Sequence, residues 1–208
     1  MEGRRNPFVA PEGIPLIVIA GIGAWASFRY LDLVWFGLSV FVFILFALIF
    51  RDPRRSIPPA PLGVVSPVDG TVVDIETVEK GVLHGRGHRI LIRVNSLGAY
   101  TARCPVEGKV MNLEAEAGDR AVDYRTNALW VQTDEGDDVV LQFRGYRMGL
   151  PPRSFVRFGE RLGQGARCAY LRLARFAEVH LPAESKLLVE PGGTVTAGCD
   201  LIAKLPHP

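Results

Sequence analysis

Cysteine is scarce in this sequence. Cys104, Cys168 and Cys199 are the three thiols in 208 residues. An odd number at wide spacing argues against a disulfide framework and against a zinc site. They read as reduced, semi-buried thiols of a cytosolic domain. Net charge is also small, with 24 Lys and Arg against 22 Asp and Glu. No basic stripe carries interleaved aromatics, so nucleic acid is excluded as a partner. Histidine numbers four. His84-Gly85-Arg86-Gly87-His88 has the spacing of two ligands on a helix, but its glycines oppose a helix and favour a hairpin tip, so no metal is expected.

Apolar residues make up 48% of the chain, and the excess is confined to its first quarter. One run spans Ile14 to Phe28 and a second Leu33 to Phe50, with Arg29-Tyr30-Leu31-Asp32 between them. Each is slightly short of the ~20 residues that span a bilayer, a gap that flanking aromatics and snorkelling arginines close. The polar break suits a helical hairpin; in one long helix Arg29 and Asp32 would lie near mid-membrane. Arg4 and Arg5 precede the pair, and Arg51, Arg54 and Arg55 follow it. The positive-inside rule then places both ends in the cytoplasm, on a cytoplasmic (inner) membrane. A cleaved signal peptide is the competing reading, and the second apolar run favours an anchor. The expected organisation is a cytoplasmic N-terminus (1–13), a two-helix membrane hairpin (14–50), a Pro-rich linker (51–63) and a β domain (64–208).

Past the linker, short β-branched runs alternate with Gly and Pro turns, and no long amphipathic helical pattern appears. Strands are expected at Gly70–Ile75, Arg89–Val94, Ala128–Thr133, Val139–Arg144, Ser154–Phe158, Ala169–Leu173, Ala177–Leu181 and Lys186–Val189. This is a mainly-β domain, a barrel or sandwich. Pro67-Val68-Asp69-Gly70-Thr71-Val72 recurs as Pro105-Val106-Glu107-Gly108-Lys109-Val110 and, more loosely, as Glu190-Pro191-Gly192-Gly193-Thr194-Val195. The repeat resembles the folded sheet of lipoyl and biotinyl carrier domains, without their attachment lysine at a hairpin tip.

Two segments carry a more specific resemblance. Phe50-Arg51-Asp52-Pro53-Arg54-Arg55, followed by Val64-Val65-Ser66-Pro67-Val68-Asp69-Gly70, resembles the F-R-D-P and V-S-P-A-D-G-x-V motifs of the short-form phosphatidylserine decarboxylases. The likeness continues through Pro105–Val110 and Gly159-Glu160-Arg161 to Val179-His180-Leu181-Pro182. It implies a membrane protein of phospholipid metabolism. It also implies a pyruvoyl group, made when a serine attacks the preceding carbonyl and the resulting ester eliminates with chain cleavage. That group serves as electron sink for decarboxylation.

Measured against that pattern, the chain departs where the chemistry lies. The family's R-F-G-S-R-x-x-x-x-L-P falls on Arg172-Leu173-Ala174-Arg175-Phe176 through Pro182, so the Gly-Ser pair becomes Ala174-Arg175. The D-V-H-x-x-R-x-P stretch reads Gly98-Ala99-Tyr100-Thr101-Ala102-Arg103-Cys104-Pro105, with Tyr100 at the histidine. Asp69 stands at the retained family aspartate and also suits a plain turn-forming role. N-E-R-N becomes Asp123-Tyr124-Arg125-Thr126. The expectation is a lyase-like pseudoenzyme without cofactor, with a lipid-binding or regulatory role, meeting phosphatidylserine or a related lipid through Arg103, Arg125 and Arg172; a structural role, with the hairpin as anchor and the domain as an assembly platform, stands beside it. The alternative is an active decarboxylase that forms its pyruvoyl group atypically at Cys168. A homo-oligomer is compatible with either. The arginines Arg144, Arg147, Arg153, Arg157, Arg161, Arg167 and Arg172 crowd the same region, as a solvated face or as contacts to lipid phosphate.

Overall fold

The computed structural model describes residues 8–79, 86–111, 128–146 and 150–206. These fall into two units: the chain to Arg54 with Leu97–Tyr100, and Arg55–Ser96 with Thr101 onward. His84, Gly85, the Asp123–Thr126 stretch with Arg125, and Arg147 lie outside the described residues.

In the first unit a 3₁₀ turn, Pro11–Gly13, leads into α1 (Ile14–Tyr30), and α2 (Leu33–Ile49) follows. Pro15 sits in the first turn of α1, where no amide donor is missed. Leu31 is extended and breaks the helix, yet its amide still bonds the Ser27 carbonyl at 3.0 Å, so α1 runs two residues past Phe28. The helices pack through Phe28 on Phe36, with ring centroids 5.3 Å apart, and through a 2.9 Å hydrogen bond between the Ser27 and Ser39 hydroxyls. Outward they present large apolar side chains, among them Trp25, Phe28, Leu33 and Val34. Pro11–Tyr30 is 20 residues long and apolar enough to cross a membrane, whereas α2 has 17 residues. Antiparallel backbone bonds close the pair: Ala10 N to Phe50 O at 2.9 Å and Asp52 N to Phe8 O at 2.8 Å.

The second unit is all antiparallel sheet. Its strands are β1 (Gly63–Val65), β2 (Gly70–Val78), β3 (Gly87–Val94), β4 (Thr101–Arg103), β5 (Gly108–Val110), β6 (Ala128–Gln132), β7 (Asp138–Tyr146), β8 (Arg153–Ser154), β9 (Arg161–Leu162), β10 (Arg167–Tyr170), β11 (Ala174–Pro182), β12 (Lys186–Leu187), β13 (Thr194–Val195) and β14 (Leu201–Lys204). The largest sheet has the order β13-β2-β3-β11-β7-β6-β5-β9, and two three-stranded sheets run β1-β14-β12 and β4-β10-β8. The mainly-β expectation holds; of its barrel-or-sandwich form, a closed barrel is not seen among the described residues, where the large sheet ends in the two-residue strands β13 and β9. The expected strand Ser154–Phe158 shrinks to β8, and Ala169–Leu173 stops at Tyr170, because Arg172 and Leu173 turn to positive φ. Ile90, Ile92, Leu141, Val179 and Val72 fill one face of the sheet as the core.

The repeated Pro-Val-acid-Gly motif has a steric cause. A Cβ on Gly70 would overlap the carbonyl oxygen of Arg93, and one on Gly108 that of Gln132. Each glycine lets a new strand start in close contact with its neighbour's backbone. The third copy adjoins the first: Gly192 N bonds Val72 O and Val72 N bonds Gly193 O, both at 2.8 Å.

The outer face of the large sheet carries a buried carboxylate. Glu178 is 2% exposed, with Arg144 Nε at 3.2 Å, His180 Nε2 at 3.5 Å and Arg89 NH1 at 3.7 Å. Burial alone pushes this carboxyl up; the adjoining His180 and the charges of Arg144 and Arg89 outweigh it, and the net shift is downward. A carboxyl depressed in the folded state stabilises the fold above its unfolded value, and that contribution is lost as pH falls through the folded value.

Two expectations follow for the full-length protein in detergent. Gly70→Ala should cost about 1–3 kcal/mol through overpacking against Arg93, while Gly163→Ala, whose Cβ meets nothing within 4 Å, should be near neutral in thermal melts. Glu178→Gln should cost about 1–3 kcal/mol at neutral pH, a range kept low because Arg144 is partly solvated. In melts across pH the deficit should shrink as pH falls below about 4.3, where the unfolded chain begins to bind the proton, and should be gone once the folded carboxyl, held lower, is protonated too.

Candidate functional site

The segment aligned with the family's cleavage motif forms a tight turn before β11. Ala174 N bonds Leu171 O at 2.9 Å, and the two residues between, Arg172 and Leu173, have φ of 45° and 65°. Two consecutive positive φ values suit Gly, Asn or Asp. Arg and Leu hold them at a cost of about 1–2 kcal/mol each. Ala174 is 2% exposed and faces Tyr146 across the sheet, whereas Arg175 is exposed.

Asp69 lies at the same end of the sheet. Gly70 pairs with Val94 and Phe176 with Arg93, so β3 alone separates the start of β2 from the start of β11, roughly 10 Å at two interstrand spacings. Both carboxylate oxygens of Asp69 are engaged. Arg55 NH2 donates to Oδ2 at 2.7 Å, and the Ala197 amide donates to Oδ1 at 2.8 Å. The pair is mostly buried, with side-chain exposures of 21% for Arg55 and 13% for Asp69. Arg103 adjoins it, since a Cβ on Gly198 would lie 3.5 Å from Arg103 Cγ and 3.9 Å from Arg55 Cβ. Arg103 is 3% exposed, directs NH1 at the Gly165 carbonyl and stands opposite Arg167 across β4 and β10. Arg55, two residues past the F-R-D-P motif, is by sequence only a membrane-flanking charge, and nothing local marks it as the partner of Asp69.

Tyr100, at the family's histidine, belongs to the helical unit. Its ring packs 4.8 Å from that of Phe50, its hydroxyl donates to Glu12 Oε2 at 3.1 Å, and its amide bonds Arg51 O at 3.0 Å. The side chain that replaces a base is thus occupied as a packing and hydrogen-bonding group within that unit.

Cys168 is fully buried in β10, with its thiol directed at the Ala102 carbonyl at 3.5 Å. Burial, helped by the nearby Cys104, pushes its pKa well up, against the weaker opposing charge of Arg103. Cys104 is likewise pushed up by burial, to about 12. Both thiols stay protonated at neutral pH, and a thiol is a poor nucleophile beside a thiolate. Among the described residues no group of His, Cys, Asp and Glu could hold a metal ion.

The structure thus gathers Asp69, Arg55 and Arg103 and places Ala174 and Arg175 one strand away. It sets Arg172 in the strained turn. A solved structure, glucose permease IIA from Mycoplasma capricolum, matches 68% of this chain and 94% of its own at 21% identity and a TM-score of 0.47. A model of the family described as phosphatidylserine decarboxylase matches residues 42–203. Phosphatidylserine decarboxylase proenzymes of Aromatoleum aromaticum and Burkholderia ambifaria are each 32% identical, over 97% and 96% of this chain respectively and 97% of each relative. That of Burkholderia pseudomallei is 31% identical over 97% of both chains. A family match across most of the sequence, and relatives a third identical from end to end, make the chain a member of the phosphatidylserine decarboxylase family.

Proposed function

We propose that this chain is a non-processing member of its family: a membrane-anchored protein of phospholipid metabolism that binds phosphatidylserine or a related lipid and does not decarboxylate it. The observation that carries the reading is the pair Ala174-Arg175 at the start of β11. Arginine offers neither hydroxyl nor thiol to attack the preceding carbonyl, so the residues at this position do not fit a pyruvoyl group. Two further points support it. Tyr100 cannot act as the base that a histidine would supply. Asp69, with both carboxylate oxygens engaged by Arg55 and the Ala197 amide, serves as a structural clamp.

The alternative, an active enzyme initiated from Cys168, is opposed by the complete burial of that residue and its raised pKa. In the favoured reading residues 14–50 form the membrane hairpin, with both termini and the β domain in the cytoplasm. Arg172 supplies positive charge toward a lipid phosphate, Arg103 being buried against the Gly165 carbonyl, and residues 64–208 form the lipid-binding domain.

Intact-mass spectrometry of the purified protein should find one polypeptide near 22.8 kDa. Two fragments, the larger ending near Arg167 or Leu173, would revive the enzyme. Repair gives a finer test. Ala174→Gly with Arg175→Ser restores the family's pair but leaves no base, so cleavage should be absent or slow. Adding Gly98→Asp and Tyr100→His should raise the cleavage rate by about 10²–10⁴. Equal, rapid cleavage in both variants would show that the Gly98–Pro105 stretch is dispensable for processing.

A further inference from the structure

We propose that the segment Leu150–Phe158 is a second lipid contact, separate from the helical pair, which lies along the surface of an anionic bilayer. The inference rests on the membrane-anchored reading above and adds a specific face of the β unit to it.

Among the described residues of that unit, the two most exposed large apolar side chains lie here. Phe158 is 68% exposed and Leu150 51%, ahead of Leu188, Ile57 and Val73. The segment is rooted from beneath. Pro152 is buried, and the Phe155 ring packs 4.8 Å from that of Tyr170. Its strand, β8, is an edge of the β4-β10-β8 sheet, and Arg153 and Ser154 are both exposed there. Phe158 follows at a turn in which Glu160 N bonds Arg157 O at 3.1 Å and Arg157 N bonds Glu160 Oε2 at 3.1 Å. The rooted residues thus leave Leu150, Arg153, Arg157 and Phe158 directed to solvent.

Charge selects the partner. Neighbouring arginines are neutralised: Arg144 by Glu178, and Arg161 by Asp134 and Glu107. Among the described residues, the side chains of Arg153 and Arg157 enter no ion pair. Exposed aromatic and aliphatic side chains beside uncompensated arginines match the bilayer interface, where rings sit at headgroup level and guanidinium groups meet lipid phosphate. The two arginines make an anionic surface the favoured one.

The test uses the full-length chain in a Cys199→Ser background, since Cys104 and Cys168 are buried. An environment-sensitive dye is attached singly at Phe158→Cys, at Leu38→Cys in α2, or at the exposed control Glu190→Cys. Each protein is reconstituted into phosphatidylcholine vesicles with or without phosphatidylglycerol, some containing lipid-borne quencher. The dye at 158 should shift blue and be quenched on anionic vesicles, much less on neutral ones or in high salt. The dye at 190 should stay in water. Arg153→Gln and Arg157→Gln should each lower the lipid-bound fraction about fivefold where it is not saturated, from the attraction of one basic residue to an anionic surface. A dye at 158 as wet as that at 190, with the dye at 38 quenched, overturns this contact and leaves the anchor standing. Both 38 and 158 wet overturns the anchor as well. A blue shift at 158 that depends on protein concentration and ignores the quencher assigns the edge to protein association and overturns the lipid contact.

Discussion

Strand β11 is hydrogen-bonded on both sides, to β3 along Phe176–Pro182 and to β7 along Ala174–His180. The rest of the large sheet hangs from these two ladders, β2 and β13 on one flank and β6, β5 and β9 on the other. The strand's two faces divide the labour. Ala177, Val179 and Leu181 close the core, while Glu178 and His180 tie the outer face to Arg89 and Arg144. A strand so placed has little freedom to shift register, because a slip of one residue would send Glu178 into the core.

That rigidity explains how the turn ahead of β11 keeps its shape with unsuitable residues. Ala174 is buried and held in the β7 ladder, and Leu171 is buried as well, so both ends of the turn are fixed by packing. Arg172 and Leu173 must bridge them, and positive φ is the conformation that does so. Strained backbone of this kind persists where its surroundings over-determine it.

Some of this architecture could be read from residues alone. Both helices announce themselves as apolar runs, and β2, β3 and β7 are long enough for alternation to show. The short strands β1, β4, β5, β9, β13 and β14 are not, since two to four residues carry no measurable period. The turn at Arg172-Leu173 was invisible because neither Gly nor Asn marks it. At the candidate site the departures at Ala174-Arg175 and Tyr100 were legible by resemblance, but their surroundings were not. Arg55 meets Asp69 only once the linker folds back, and Tyr100 finds Phe50 and Glu12 from far along the chain. Both are tertiary facts, and no local pattern encodes them.

The strand order also dictates a sequence of events at the ribosome. The apolar helices emerge ahead of the sheet, and β11, β13 and β14 fill positions between or beside strands made much earlier. Until β11 arrives, β3 and β7 each present an unpaired edge, with their apolar residues uncovered. The nascent β unit must therefore remain incomplete through most of its translation. A chain stalled before Ala174 would have two half-sheets and nothing to join them, an aggregation hazard for whatever chaperones attend its synthesis.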